Sequence, residues 1–187
     1  MRADAQKNRD HILAVARDLL SSGGEEASLR DIARTAGVGL GTLYRHYPTR
    51  EALLEVLLHD RFEALTARAV ALKAEVSAGA ALVTWLRETV AIAHDYSGTI
   101  RSMVAAIEDE GSALHASCVA MKAAGTRLLL RAQEKGEART DMDGADLFAF
   151  VGALSWVADQ PALAPRSDHV FAIIADAIVT TQAKSAV

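Results

Sequence analysis

The sequence predicts an all-α protein of about nine helices, and three observations carry that prediction. Apolar residues make up 51% of the 187-residue chain but aromatics only 5%. Alanine and leucine supply most of the apolar share, whereas strands favour β-branched and aromatic side chains. Apolar positions recur at helical spacing, as in Ile12, Val15, Ala16, Leu19 and Leu20. The breaks between such runs are short glycine, serine or proline stretches of the kind that end helices.

The length suits one large domain or two small ones with a sizeable core. The single cysteine, Cys118, excludes an internal disulfide framework and fits a reducing cytoplasm. No run of 18 apolar residues occurs and the N-terminus is polar, so neither a membrane span nor a signal peptide is expected. The net charge of −4 does not by itself point to nucleic acid. Residues 1–61 hold nine Lys/Arg against nine Asp/Glu, while residues 62–187 carry the whole deficit. A neutral segment can still bind phosphate if its cations share one face.

The first helix is expected over 5–21, ended by Ser21-Ser22-Gly23-Gly24. Lys7 and Arg9 lie near its start, either as a solvated face or as phosphate contacts. Ser28 opens a second helix at capping-box spacing from Asp31, with Leu29, Ile32 and Ala33 as its buried set. Gly37 ends it and Val38 plugs the turn. The third helix, about 39–47, turns Leu43 and Tyr47 inward and leaves Thr42, Tyr44, Arg45 and His46 on its outer arc. Pro48 stops it, and Thr49 can cap the fourth helix.

That fourth helix, about 50–74, carries a broad stripe from Leu53 to Leu65 and is expected to join an N-terminal head to a larger body. Helical segments follow at about 79–95, 99–109, 113–135, 144–159 and 168–183. Their boundaries are Tyr96-Ser97-Gly98, Gly111-Ser112, 136–143 and a proline-bearing loop at 160–167. The short helix, glycine turn and second short helix of residues 28–47 outline a helix-turn-helix, a DNA-reading unit.

Residues 8–58 resemble the TetR family of one-component transcriptional regulators. The resemblance rests on Ile12 and Ala16, then SLRDIARTAGV, then GTLYRHYPTREALL. The stretch 128–147 also resembles a family segment in which a helix ends at Gly, an Arg follows, and an Asp starts the first dimerisation helix. The resemblance implies a homodimer with a DNA-binding domain at 1–48 and an effector-binding and dimerisation domain at 49–187. It implies that an effector spreads the two heads so that they no longer match successive major grooves. By motif position, Thr42 and Arg45 would meet base edges. Tyr44, His46, Arg50 and Ser28 would meet phosphates. Two departures stand out: Gly39 replaces a frequent hydroxyl residue, and Pro48 replaces a frequent cation. Leu40 offers an apolar contact, suited to a thymine methyl.

Other chemistry is weaker. Gly37, Gly39 and Gly41 follow no strand and lack the order of a dinucleotide loop. The six histidines form no metal-spaced pair. His115 and Cys118 lie three apart, as half a metal site, a nucleophile pair or neither. Glu108-Asp109-Glu110 reads as a solvated helix end, and Asp143 as a helix cap rather than a calcium ligand. No cofactor is expected. In the body, Trp85, Met103, Ile107 and Met121, with His94, Tyr96 and Cys118 as polar anchors, are candidates either for an effector pocket or for plain core. Phe148, Val151, Trp156, Phe171, Ile174 and Ile178 are candidates for a homodimer interface, or else for intramolecular core. The expected partners are a pseudo-palindromic double-stranded operator, a small-molecule effector and a second copy of the chain, with no membrane. The function these expectations compose is a ligand-responsive repressor; a DNA-binding dimer with no effector is the alternative.

Overall fold

The computed structural model describes residues 2–21, 27–74 and 77–180. Ten α-helices follow one another: α1 (Arg2–Ser21), α2 (Leu29–Thr35), α3 (Leu40–His46), α4 (Arg50–Leu72), α5 (Ala78–Asp95), α6 (Ser97–Ser102), α7 (Val104–Glu108), α8 (Ala113–Glu134), α9 (Gly144–Asp159) and α10 (Ser167–Ile178). A 3₁₀ turn, Ala164–Arg166, occupies the proline-bearing loop. Among the described residues the only β pairing is an isolated antiparallel bridge between Ala138 and Val179.

The stretch 96–109 and the end of the last helix differ most from the sequence expectation. The predicted helix at 99–109 is two short helices, and Ser97-Gly98 is helix rather than break. The chain bends at Tyr96 and again at Met103, both buried and both outside ideal helical dihedrals. The last helix stops at Ile178 instead of 183. Val179 turns extended, Arg139 N–H donates to the Ile178 carbonyl, and Thr180 N–H donates to the Glu137 carbonyl. The β-branched run Val179-Thr180 suits that extended pairing better than another helical turn. The predicted stop at Ser22-Gly23-Gly24 lies outside the described residues.

The chain forms two compact units. The first comprises residues 1–60 and 95–115; the second comprises 61–94 and 116–187. In the first, α1 packs on α2 and α2 on α3. Ile12, Leu13, Ala16 and Leu20 of α1 are buried, as are Leu29, Ile32 and Ala33 of α2 and Leu43 of α3. His11 Nε2–H donates to the Ala36 carbonyl at 3.0 Å, so α1 also holds the end of α2.

The second unit is organised around Trp85. Its indole N–H donates to the Leu65 carbonyl at 2.9 Å, and its ring meets Phe148 edge-to-face at 6.0 Å. Gly125 of α8 lies against the same ring, where even a methyl group would collide. Gly144 meets Thr126 with the same lack of room, so glycines set how closely α8 approaches α5 and α9. Glu137, just past α8, accepts hydrogen bonds from Ser77 Oγ and Gly79 N–H at the start of α5, each 2.8 Å. These bonds hold its carboxyl below the ordinary glutamate value.

Candidate nucleic-acid interface

The helix-turn-helix is built from local chemistry. Ser28 accepts from Asp31 N–H while Asp31 accepts from Ser28 N–H at 3.2 Å, a complete capping box. At the other end of α2, Val38 N–H donates to the Ala33 carbonyl and Gly37 N–H to the Arg34 carbonyl. Gly37 has φ +64°, the left-handed conformation that this Schellman ending needs. Gly39 then starts α3 with no side-chain cap. Thr49 Oγ1 accepts from Ala52 N–H at 3.1 Å and caps α4.

These devices aim α3. Leu43 and Tyr47 are buried, whereas Tyr44 is 48% exposed despite its ring, and Arg45 is exposed beside it. Leu40, Thr42 and His46 are half-buried on the flanks. Arg45 Nε–H donates to the Gly41 carbonyl of its own helix at 3.3 Å, which steadies the side chain while leaving the outer edge of the guanidinium for another partner. Ser28, Leu29, Arg30, Tyr44 and Arg50 line one shallow cleft of about 470 Å³. Arg50 Nε–H donates to the Ala27 carbonyl at 3.2 Å, tying the start of α4 to the strand-like lead into α2.

The charge balance around the cleft favours an anion only modestly. Hydrogen bonds from Ser28, then the neighbouring Arg34 and Arg30, hold the Asp31 carboxyl below the usual aspartate value. Asp31 therefore stays charged, and Arg34 is paired to it at 2.9 Å. Arg30, one of the four cations of residues 28–54 together with Arg34, Arg45 and Arg50, also lines the cleft.

A family model described as "Bacterial regulatory proteins, tetR family" matches residues 12–57. A second, described as "Transcriptional regulator SbtR-like, C-terminal domain", matches residues 77–178, more than half of the chain. The chain belongs to the TetR family of transcriptional regulators. It is similar to the TetR transcriptional regulator SCO0520 from Streptomyces coelicolor, with 32% identity and a TM-score of 0.73 over 92% of this chain and 99% of that one. A TetR regulatory protein from Mycobacterium vanbaalenii is also 32% identical, with a TM-score of 0.69 over 96% of this chain and 99% of the other. HTH-type transcriptional regulator UidR of Escherichia coli (strain K12) is 33% identical over 113 residues, 59% of this chain and 55% of UidR. The chain thus spans about half the length of that curated relative. As a TetR-family protein it is a DNA-binding transcriptional regulator, and the family and these relatives are regulators rather than enzymes.

The body residues sort less simply. Trp85, Tyr96, Met103, Cys118 and Met121 are buried, and His94 and Ile107 are half-buried. Trp85 is tightly packed by Phe148 and Gly125, which is a core environment. Burial pushes the Cys118 thiol up, away from the reactive thiolate. His115 commits its Nδ1–H to the Ile107 carbonyl at 2.8 Å. Among the described residues no group of three His, Cys, Asp or Glu could hold a metal, and no helix is long and apolar enough to cross a membrane.

On α9 and α10, Val151, Phe171 and Ile178 are buried within the single chain, and Phe148 and Ile174 are half-buried. Trp156 and Ile173 are instead 58% and 56% exposed, together with the small residues Ala149, Gly152, Ala153, Ala172 and Ala177. Asp143 caps α9 in a second complete capping box with Asp146.

Proposed function

We propose that this TetR-family regulator is a homodimeric repressor that holds a pseudo-palindromic operator and releases it when a small molecule binds the body. The observation that carries the DNA half is the outer face of α3, with Tyr44 and Arg45 exposed beside the Ser28–Arg30–Arg50 cleft. Arg45 reads a base edge with its planar fork, Thr42 and Leu40 supply the flanking base contacts, and Ser28, Tyr44, His46 and Arg50 hold phosphates. Two such heads on one dimer address half-sites about 34–36 Å apart.

Dimerisation is supported by the exposed stripe of Trp156 and Ile173. Trp156 on α9 and Ile173 on α10 are large apolar side chains left exposed among small residues on two helices that pack together, and a second copy can cover them by two-fold symmetry. Small-molecule control is supported by family membership and by the continuity of α4, unbroken from Arg50 to Leu72. Coupling between effector and head of about 1–3 kcal/mol is typical of such control.

The test has two arms. Fluorescence anisotropy with an operator selected from random DNA measures binding. A thermal-shift screen against a broad panel of metabolites and drugs, repeated on the operator complex, measures response. Compounds that raise Tm and release the operator support the full reading. Silence across the panel favours the second reading, a DNA-binding dimer without effector. One observation favours that alternative: Trp85, expected at the pocket, is enclosed by core neighbours and has its N–H satisfied by the Leu65 carbonyl.

A further inference from the structure

A cleft of about 200 Å³ is lined by residues of α5, α9 and α10, with no residue of the reading head and neither Trp156 nor Ile173 among them. We propose that it binds a small organic carboxylate with a compact apolar body, anchored by Arg87. Whether such binding regulates DNA affinity rests on the effector reading above; occupancy of the cleft does not.

Arg87, Val90, Ala91 and His94 recur at three- and four-residue spacing and present one face of α5 to the cleft. The middle of the cleft is apolar, with Val90 and Ala91 on one side and Leu154 and Ala158 of α9 on the other. Its polar groups stand at the ends. A space of this size takes a single ring or a short branched chain, well below the roughly 300–1,000 Å³ of pockets that hold drug-sized molecules.

Arg87 is prepared for a planar anion. Its guanidinium carbon lies 4.0 Å from the centroid of the Phe171 ring, a stack that fixes the plane of the fork. Asp168 takes one N–H of that fork, from Nη1 at 3.3 Å. The Arg87 side chain is 54% exposed and that of Asp168 is 96% exposed, so their pair is weak and Asp168 can swing into water at little cost. An entering carboxylate exchanges this single contact for a two-pronged one. The negative charge of the neighbouring Asp159 is occupied elsewhere: His94 Nδ1–H donates to its Oδ1 at 2.7 Å. An organic cation would meet Arg87, and a bare inorganic anion would leave the apolar walls unfilled.

Isothermal calorimetry on the full chain with benzoate, and with benzamide as its uncharged isostere, tests the proposal. Benzoate is expected to bind saturably, and benzamide at least about tenfold more weakly, since a hydrogen bond to a charged partner is worth about tenfold or more. Arg87→Gln should weaken benzoate by a similar factor, while Asp168→Asn should tighten it by removing the competitor. Opposite signs for two exposed substitutions are not what a general loss of structure produces. Equal binding of benzoate and benzamide, no benzoate binding in the millimolar range, or no tightening in Asp168→Asn overturns the site. Operator affinity measured with and without benzoate separates the two readings: binding that leaves operator affinity unchanged keeps the site and removes its effector role.

Discussion

The reading head and the α8–α9 corner of the body are closed by the same local devices but present opposite chemistry. In the head, α2 ends at Gly37 in a left-handed turn, and a Ser28–Asp31 capping box starts it. In the body, α8 ends at Gly136, with φ +69°, in the same pair of backbone hydrogen bonds, and an Asp143–Asp146 capping box starts α9. Beyond those boundaries the two diverge. The helix after Gly37 exposes Tyr44 and Arg45, the face proposed to meet phosphate and base edges. The helix after Gly136 exposes Trp156, on the face proposed to meet a second copy. Helix ends are thus written in a shared local code, while function is written in which side chains remain uncovered.

The uncovered residues of α9 and α10 should respond to substitution differently from their covered neighbours. Phe171→Ala empties a buried site and should cost about 3–5 kcal/mol of folding stability, measured by denaturant unfolding. Trp156→Glu should leave the fold in place but weaken self-association by about 2 kcal/mol or more, read as a dimer-to-monomer shift by sedimentation. If both substitutions act alike on folding and association, the division between core and contact face is wrong.

Overpacking the Trp85 corner comes next. Gly125→Ala should cost about 1–3 kcal/mol, because the α8 backbone and the indole ring must move apart. An unchanged melting temperature would show that the corner has slack.

A smaller effect concerns acid. Glu137 is held below its ordinary pKa by Gly79 and Ser77, so its contribution is present above the unfolded value and is lost as pH falls through the folded one. Stability below about pH 4 should therefore fall less steeply in Glu137→Gln than in the parent, by pH-dependent urea unfolding. The same acid slope in both would remove Glu137 from the account.

The smallest expected change is a gain. At Gly39, φ −62° and ψ 136° suit an N-cap residue, and a side chain would meet only Thr42 Oγ1, at 3.8 Å. Gly39→Ser should add a few tenths of a kcal/mol to stability. If the hydroxyl also reaches a phosphate, operator binding should tighten for all sequences alike with the salt slope unchanged, because an uncharged group releases no counterion.

What was legible in the sequence was the chemistry that acts within three or four residues. Ser28, Gly37, Thr49 and Asp143 could be read because a cap and its partner lie one turn apart. The break at Met103 could not, since no glycine or proline marks it. Nor could the extended Val179, whose partner Ala138 lies far back in the chain, or Glu137, whose hydrogen bonds reach Ser77 and Gly79. The apolar residues of α9 run almost all round the helix, so periodicity alone could not separate covered Val151 from exposed Trp156. The residues proposed to contact DNA rest on motif position, whereas the shared cleft of Ser28, Arg30, Tyr44 and Arg50 is a property of the folded unit.

On the proposed reading, the outer face of α3 reads DNA sequence while the residues around it hold the backbone. Binding-site selection from random DNA, run in parallel on the parent, Arg45→Ala and Arg50→Ala, separates the two roles. Arg45→Ala should lose base preference at one position in each half-site, a discrimination of about 1–3 kcal/mol. Arg50→Ala should keep the preferred sequence, weaken all sequences alike and flatten the salt slope. An unchanged base preference in Arg45→Ala would contradict the assignment.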